Sequence, residues 1–330
     1  MTRNKQLAVV VPAYKAAFLE PALESLSAQT DKRFVVYVGD DCSPENVGEI
    51  CDRFAHHLDL SYRRFDENLG KKSLVAHWNR CIRLSSQPWI CLFSDDDIME
   101  PRCVEAFYRA LRHTGGRHNL YRFDTLTIDQ NGKLLRINPP HPELESAIQF
   151  AYHRLSMHRA SFVSEYIFAR HAFDRQNGMI DFPAAWCSDD ASWIVFSGEE
   201  AIYTVRGPKV RWRDSALNIT TPNATFQKEK IEADLEYMNW LNKHFADKQL
   251  DKLELNIQLI NDCAKKWFYF QLKLLAPLRI ATCAKLCLDS HSVWNDRFFK
   301  KLCRLISIHF RCYARSAVDG LAKTILPSDK

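Results

Sequence analysis

Three consecutive carboxylates, Asp95, Asp96 and Asp97, follow Ser94 directly after the apolar run Pro88-Trp89-Ile90-Cys91-Leu92-Phe93. A short continuous apolar run of this kind reads as a buried strand. Carboxylates crowded at the end of such a strand repel one another and are costly to keep ionised. A divalent cation relieves that cost, and hard oxygen ligands suit magnesium or manganese. In open α/β sheets, ligands sit just beyond the carboxyl ends of the strands. The cluster therefore suits holding a metal against the phosphates of a nucleotide-linked substrate. A diphosphate supplies part of the coordination itself, so one or two protein carboxylates suffice. The cation then offsets charge on the departing phosphate. The plainer reading is a solvated turn that caps the next helix.

Other segments could join this chemistry. Asp40 and Asp41 close a second apolar run, 34–38, after Gly39. A carboxylate there can accept from the N3 hydrogen of uracil or from ribose hydroxyls; the alternative is an Asx-turn leading into the next helix. In Ser188-Asp189-Asp190, a carboxylate near the donor but away from the metal can take the proton of an attacking hydroxyl. Asp189 is the first candidate and Asp190 the fallback. The alternative is an N-cap for a helix over 190–196. In Asn68-Leu69-Gly70-Lys71-Lys72, Gly70 permits close backbone approach and a lysine can meet a phosphate, or the turn is merely solvated. Arg213 can clamp a diphosphate in bidentate fashion or form a surface ion pair. Trp186 and Trp193 suit stacking on a sugar or packing in the core.

These residues need a frame. Runs 7–11, 34–38, 60–65 and 89–93 read as strands. Amphipathic patterns at 18–29, 45–56 and 73–84 read as helices between them. That alternation predicts parallel βαβ units in a twisted sheet covered on both faces. Beyond Asp97 a helix is expected over 102–112 and a hairpin around Asn131-Gly132. The stretch 146–175 reads as helical, 181–186 as a loop, and 201–205 and 210–212 as short strands. Only helical patterns follow 227, including a long one over 253–274. The expected division is a catalytic domain over 1–226, with a nucleotide half over about 1–115 and an acceptor half over about 116–226, then a basic helical region over 227–330.

Val10-Val11-Pro12-Ala13-Tyr14, Gly39-Asp40-Asp41-Cys42-Ser43, Asn68-Leu69-Gly70, Asn79-Arg80 and Ser94-Asp95-Asp96-Asp97 with Pro101 occur in an order and spacing that resemble family-2 glycosyltransferases. The likeness spans about residues 7–110, and Ser188-Asp189-Asp190 with Trp193 extends it to about 215. The resemblance implies a GT-A fold: α/β, with a mostly parallel twisted sheet and a Rossmann-like nucleotide half. It also implies a nucleotide-sugar donor, preferably UDP-linked, a divalent metal, and inversion at the anomeric carbon, in the manner of bacterial surface-polysaccharide enzymes. Counting back from Pro101, Asp96 falls on the family's metal-ligand aspartate. Asp95 then meets the ribose or reaches the metal through water, and Asp97 is a second, supporting metal position. Asp40 and Asp41 hold the nucleoside while Pro12, Ala13 and Tyr14 wall its base. Asn68, Gly70 and Lys71 belong to the donor site, and Arg213 to a segment that closes over donor phosphates. Asp189 takes the role of base, four residues before Trp193. The chain departs from the pattern at Lys15, where Asn is common, at Ser94, the first position of the acidic cluster, and at Ser188, where Glu is common.

Composition bounds the rest. The net charge of +5 is too small by itself to imply nucleic acid as a partner. It is unevenly spread: residues 251–330 hold 14 Lys/Arg against 7 Asp/Glu. Lys265, Lys266, Lys273, Arg279, Lys285 and later basic residues alternate with apolar ones at helical spacing. That suits docking on an anionic membrane surface, where a lipid-linked acceptor would reside, or a helical cap with a solvated basic face. The 11 cysteines include no C-x-x-C pair and fit free thiols in a reducing compartment. No apolar window is long enough to span a bilayer, so a cytoplasmic protein, either free or on the inner face of the membrane, is the expectation. Two rivals are a sugar nucleotidyltransferase and a non-catalytic membrane-associated partner with a vestigial transferase domain. The first usually carries a Gly-rich basic loop after strand one, which Pro12-Ala13-Tyr14-Lys15-Ala16-Ala17 lacks. The intact set of carboxylates argues against the second.

Overall fold

The structure, a computed structural model, describes residues 5–215, 218–220, 226–246 and 257–273. In chain order the first part comprises β1 (Leu7–Ala13), α1 (Leu19–Ser27), β2 (Phe34–Asp40), α2 (Val47–Phe54), β3 (Leu60–Arg64), α3 (Leu74–Ile82) and β4 (Trp89–Leu92). Then come β5 (Ile98–Met99), α4 (Cys103–His113), β6 (Leu120–Ile128), β7 (Leu134–Ile137), β8 (Leu144–Glu145), α5 (Ala147–Leu155), β9 (Tyr166–Ala169), α6 (Arg170–Arg175), α7 (Ser188–Ser197), β10 (Ile202–Arg213), α8 (Gln227–Phe245) and α9 (Ile257–Lys273).

The sheet order is β3-β2-β1-β4-β9-β6-β10-β5, with β7 added to β6 and β8 to β10. Strands β1 to β4 are mutually parallel, as the alternation predicts. β6 and β10 form a second parallel pair, and β9 joins the two blocks by running antiparallel to both β4 and β6. The result is a mixed, largely parallel α/β sheet.

Strand β1 shows why its sequence is apolar throughout. Successive side chains point to opposite faces of a sheet. Leu7, Val9 and Val11 enter one core, with residues of α1, α2 and α4. Ala8 and Val10 enter the other, with residues of α3, α5, α7, α8 and α9. A strand covered on both faces has no solvated side, so the run is continuous rather than alternating. Ile231, Tyr237 and Leu241 of α8 and Trp267 and Phe268 of α9 share that second core, so both helices brace the sheet from behind. Most of the basic stretch, from Arg279 onward, lies outside the described residues, as does residue 274 of the expected long helix.

Two expectations change. The stretch 146–175 is not one helical region, because Tyr166–Ala169 forms a strand in the middle of the sheet. These four residues are fully buried and occupy the edge that β4 would otherwise leave unpaired. The two short strands expected at 201–205 and 210–212 are a single strand, β10, with an irregularity between Val205 and Lys209.

Candidate active site

A cleft of about 640 Å³ opens beyond the carboxyl ends of β1, β2 and β4. Its donor-side wall includes Pro12, Ala13, Tyr14, Asp41, Asn68, Gly70, Lys71, Asp95 and Asp96. Asp189 and Asp190 face it from the start of α7. Eleven of the candidate residues thus converge, whereas Asp40, Asp97 and Arg213 do not line the cleft.

The acidic turn after β4 is asymmetric. Asp95 Oδ2 accepts from the backbone N–H groups of Tyr14 (3.2 Å) and Lys15 (3.4 Å), which ties the end of β1 to the end of β4. Burial, then repulsion from Asp96, raises the Asp95 carboxyl to about 7. Burial likewise raises Asp96, opposed by Lys15 and Arg213. Asp97, expected as a second metal position, points the other way. It is fully buried and accepts from Ser164 Oγ (2.5 Å) and Arg213 N–H (2.8 Å), and burial and then Asp96 push its carboxyl well above the ordinary range.

Arg213 is also corrected from phosphate clamp to brace. Its Nε donates to the Asp96 carbonyl (2.7 Å) and its Nη1 to the carbonyls of Asp129 (3.1 Å) and Gln130 (3.0 Å), with the guanidinium over the Phe18 ring. With those donors committed and the residue 3% exposed, it supports the acidic turn from behind.

Asp40 and Asp41 separate because adjacent residues point to opposite sides. Asp40, itself fully buried, accepts from Tyr62 Oη (2.6 Å), Arg64 Nη1 (2.8 Å) and Ser43 N–H (2.7 Å). Asp40 therefore does not line the cleft, where a contact with a nucleoside was expected of it. Asp41 faces the cleft and accepts from Leu69 N–H and Gly70 N–H, each at 2.8 Å, and from Arg80 Nη2. A Cβ at residue 70 would lie 2.5 Å from Asp41 Oδ2, so glycine is what lets this loop close on the strand end. Asn68 Oδ1 stiffens the same loop by accepting from Lys71 N–H (2.8 Å).

On the opposite wall the backbone is strained. Ala184, Ala185 and Cys187 all have positive φ, at 54°, 57° and 62°. Left-handed conformations cost energy for residues with a Cβ and persist where surrounding contacts over-determine them. Here Ser188 Oγ accepts from Phe182 N–H (2.9 Å) and Ser192 Oγ from Ile180 N–H (2.9 Å). Asp234 of α8 accepts from Trp186 Nε1 (2.9 Å) and Trp267 Nε1 (3.2 Å). The helix begins at Ser188, with Cys187 at its cap position, so Asp189 sits within the first turn rather than capping it. Asp190 is paired with Arg154 (Nε–Oδ2, 2.8 Å). Asp189 Oδ1 accepts from Asp190 N–H (2.9 Å), and burial plus repulsion from Asp190 raises its carboxyl to about 7.

Sequence reasoning missed several lining residues: Phe18, Arg154, Phe162 and Trp212. Phe162 stacks on Trp212 with ring centroids 4.2 Å apart. Trp186 faces the cleft, whereas Trp193 is buried in the core against Tyr166. Trp212 adjoins Arg213 in sequence, which was the available signal; Phe162 and Arg154 had none.

Among the described residues, no group of three or more His, Cys, Asp or Glu side chains is gathered for a cation. Asp95 and Asp96 nonetheless fit a hard divalent ion that draws its remaining oxygens from a diphosphate. Both are oxygen donors facing the cleft, and burial raises both carboxyls, a rise that a bound cation would oppose.

The match to the model for Glycosyl transferase family 2 covers residues 8–171, from β1 through β9. The chain is 27% identical over 125 residues to the glycosyltransferase GlyG of Streptococcus pneumoniae, which is 37% of this chain and 41% of GlyG. It is 28% identical over 116 residues to an uncharacterized glycosyltransferase of Haemophilus influenzae, covering 35% of this chain and 37% of that protein. It therefore spans about two fifths of the length of these curated relatives. Among solved structures, S. aureus TarS 1–349 in complex with UDP-GlcNAc superposes with a TM-score of 0.56 at 14% identity, over 93% of this chain and 91% of the other. The mannosyltransferase PcManGT from Pyrobaculum calidifontis, in complex with GDP-Man and Mn2+, gives 0.50 at 15% identity, over 97% and 88%. The chain belongs to glycosyl transferase family 2 and has the α/β architecture of those two structures.

Proposed function

We propose that this protein transfers a sugar from a nucleotide-sugar donor, UDP-linked by preference, to a hydroxyl of a glycan or lipid-linked acceptor, with inversion and with a divalent metal. One observation carries the reading: acids from three separate chain segments, Asp41, Asp95–Asp96 and Asp189, face one cleft. Pro12, Ala13 and Tyr14 form the wall for the base, beside the loop that Asp41 holds through Leu69 and Gly70. Asp95 and Asp96 would hold manganese or magnesium, which when bound neutralises charge on the leaving diphosphate. Lys15 and Lys71 add positive charge to the same wall.

Asp189 acts as general base. Its Oδ1 is engaged by Asp190 N–H, which leaves Oδ2 to receive the acceptor proton. A carboxyl raised to about 7 is well matched to proton abstraction near neutral pH. Arg154 pairs with Asp190 and opposes the rise that burial causes there, which favours Asp189 as the proton acceptor. Trp186 and the stacked pair Phe162–Trp212 offer apolar faces to sugar rings.

A thermal-shift screen of nucleotide sugars with manganese tests the donor, followed by release of nucleoside diphosphate on adding acceptor. Saturable stabilisation by a nucleotide sugar supports transfer. Pyrophosphate release from a nucleoside triphosphate would instead identify a nucleotidyltransferase, and no nucleotide binding would leave a scaffold.

A further inference from the structure

The hairpin β6–β7 carries an apolar patch that the transfer reaction does not use. Leu134, Leu135 and Ile137 of β7 are 50%, 56% and 68% exposed. All residues from 130 to 137 are exposed, and both faces of the strand are open. Adjacent large apolar residues on both faces of an edge strand are a liability in a protein whose surroundings are only water.

The exposed charges of the turn and of β7 are basic. Residues 130–137 read Gln-Asn-Gly-Lys-Leu-Leu-Arg-Ile, with Lys133 and Arg136 and no acid. Asp129, at the start of the turn, keeps its negative charge but is turned into the loop, where its Oδ1 accepts from the N–H groups of Asn131 and Lys133, both at 2.9 Å. Apolar side chains interleaved with cations match the boundary between anionic headgroups and acyl chains.

Position links this element to the cleft. Trp212 of β10 is in register with Thr127 of β6, and Thr127 with Arg136 of β7. Two strand spacings, roughly 10 Å, therefore separate Arg136 from the aromatic wall of the cleft. The turn is anchored to the acidic site as well, because Arg213 binds the carbonyls of Asp129 and Gln130 and that of Asp96.

We propose that the β6–β7 hairpin docks the protein on an anionic lipid surface, with Leu134, Leu135 and Ile137 in the interface and Lys133 and Arg136 on headgroup phosphates. Docking there would bring the bilayer within about two strand spacings of the aromatic wall of the cleft, where, on the proposed function, a lipid-linked acceptor hydroxyl would be presented. The claim rests on the hairpin alone and is measured separately from donor binding.

The test is co-sedimentation of the full chain with phosphatidylglycerol–phosphatidylcholine vesicles and with phosphatidylcholine vesicles. Wild type should pellet with the anionic vesicles and lose binding as salt is raised. Leu135→Asp with Ile137→Asp, and separately Lys133→Glu with Arg136→Glu, should each weaken vesicle binding by about tenfold or more. Both variants should keep the wild-type melting temperature and its shift with nucleotide sugar. Vesicle binding unchanged in both variants overturns the proposal, as does a wild type that ignores anionic vesicles. Self-association of wild type that the Asp variants abolish, without vesicle binding, would also overturn it in favour of a contact between copies.

Discussion

The two acidic clusters of the cleft solve the same electrostatic problem in opposite ways. At Asp189–Asp190 the protein supplies the countercharge itself, through Arg154, and one carboxylate of the pair is left to gain a proton. At Asp95–Asp96 the Arg213 guanidinium donates to backbone carbonyls, and its charge, with that of Lys15, opposes the rise at Asp96. Burial outweighs the nearby positive charge at Asp95, and with repulsion from Asp96 it raises that carboxyl to about 7. The proposed roles follow that difference: a cluster with an arginine ion pair for proton transfer, and one whose arginine binds carbonyls for a cation.

The largest effect expected from breaking this contrast is at Asp189. Asp189→Asn should lower kcat by about 10²–10⁴ while nucleotide-sugar affinity stays near wild type, checked by steady-state kinetics and calorimetry. Arg154 comes next. Arg154→Met leaves Asp190 buried without its partner, and urea unfolding should show a loss of about 1.5–3 kcal/mol. The arginine side chain is 21% exposed, which keeps the cost below that of a fully enclosed pair. Gly70→Ala forces Asp41 away from the loop it organises; a loss of about 1–2 kcal/mol and a raised donor KM are expected from melts and kinetics.

The smallest effect sharpens the comparison through pH. The Asp189 carboxyl is raised in the folded state to about 7, so the fold binds a proton that the unfolded chain releases. Its contribution to stability is complete below the ordinary carboxylate range, near pH 4, and is lost as pH rises through 7. Turnover runs the other way, because the base must be deprotonated: kcat/KM should climb about tenfold per unit below pH 7 and level off above it. In Asp189→Asn that limb should vanish from the residual rate and shrink in the melting curves, where Asp95, also raised to about 7, still contributes.

Legibility in the sequence followed the locality of the structure. Strands β1 to β4 were readable because each is an apolar run set between helices, and their acidic ends fell on one sheet edge as a consequence. The choice between Asp40 and Asp41 was not readable: it depends on β2 continuing to Asp40 and on Tyr62 and Arg64 arriving from β3. Arg213 looked like a phosphate clamp from its residue type, but its partners lie in the 94–97 turn and the β6–β7 turn. On the far wall, the left-handed turns at Ala184, Ala185 and Cys187 use residues that give no local signal for positive φ. Strand β9 was hidden in a helix-compatible stretch because its pairing with β4 and β6 spans long sequence separations.

The central claim is that Asp95 and Asp96 recruit a cation to hold a diphosphate while Asp189 serves only the acceptor. The most direct measurement is calorimetric titration of UDP in manganese and in EDTA, with wild type, Asp96→Asn and Asp189→Asn. Tight binding in manganese for wild type and Asp189→Asn, lost in EDTA and in Asp96→Asn, is the expected result. Equal UDP affinity in manganese and EDTA for all three proteins would contradict the claim.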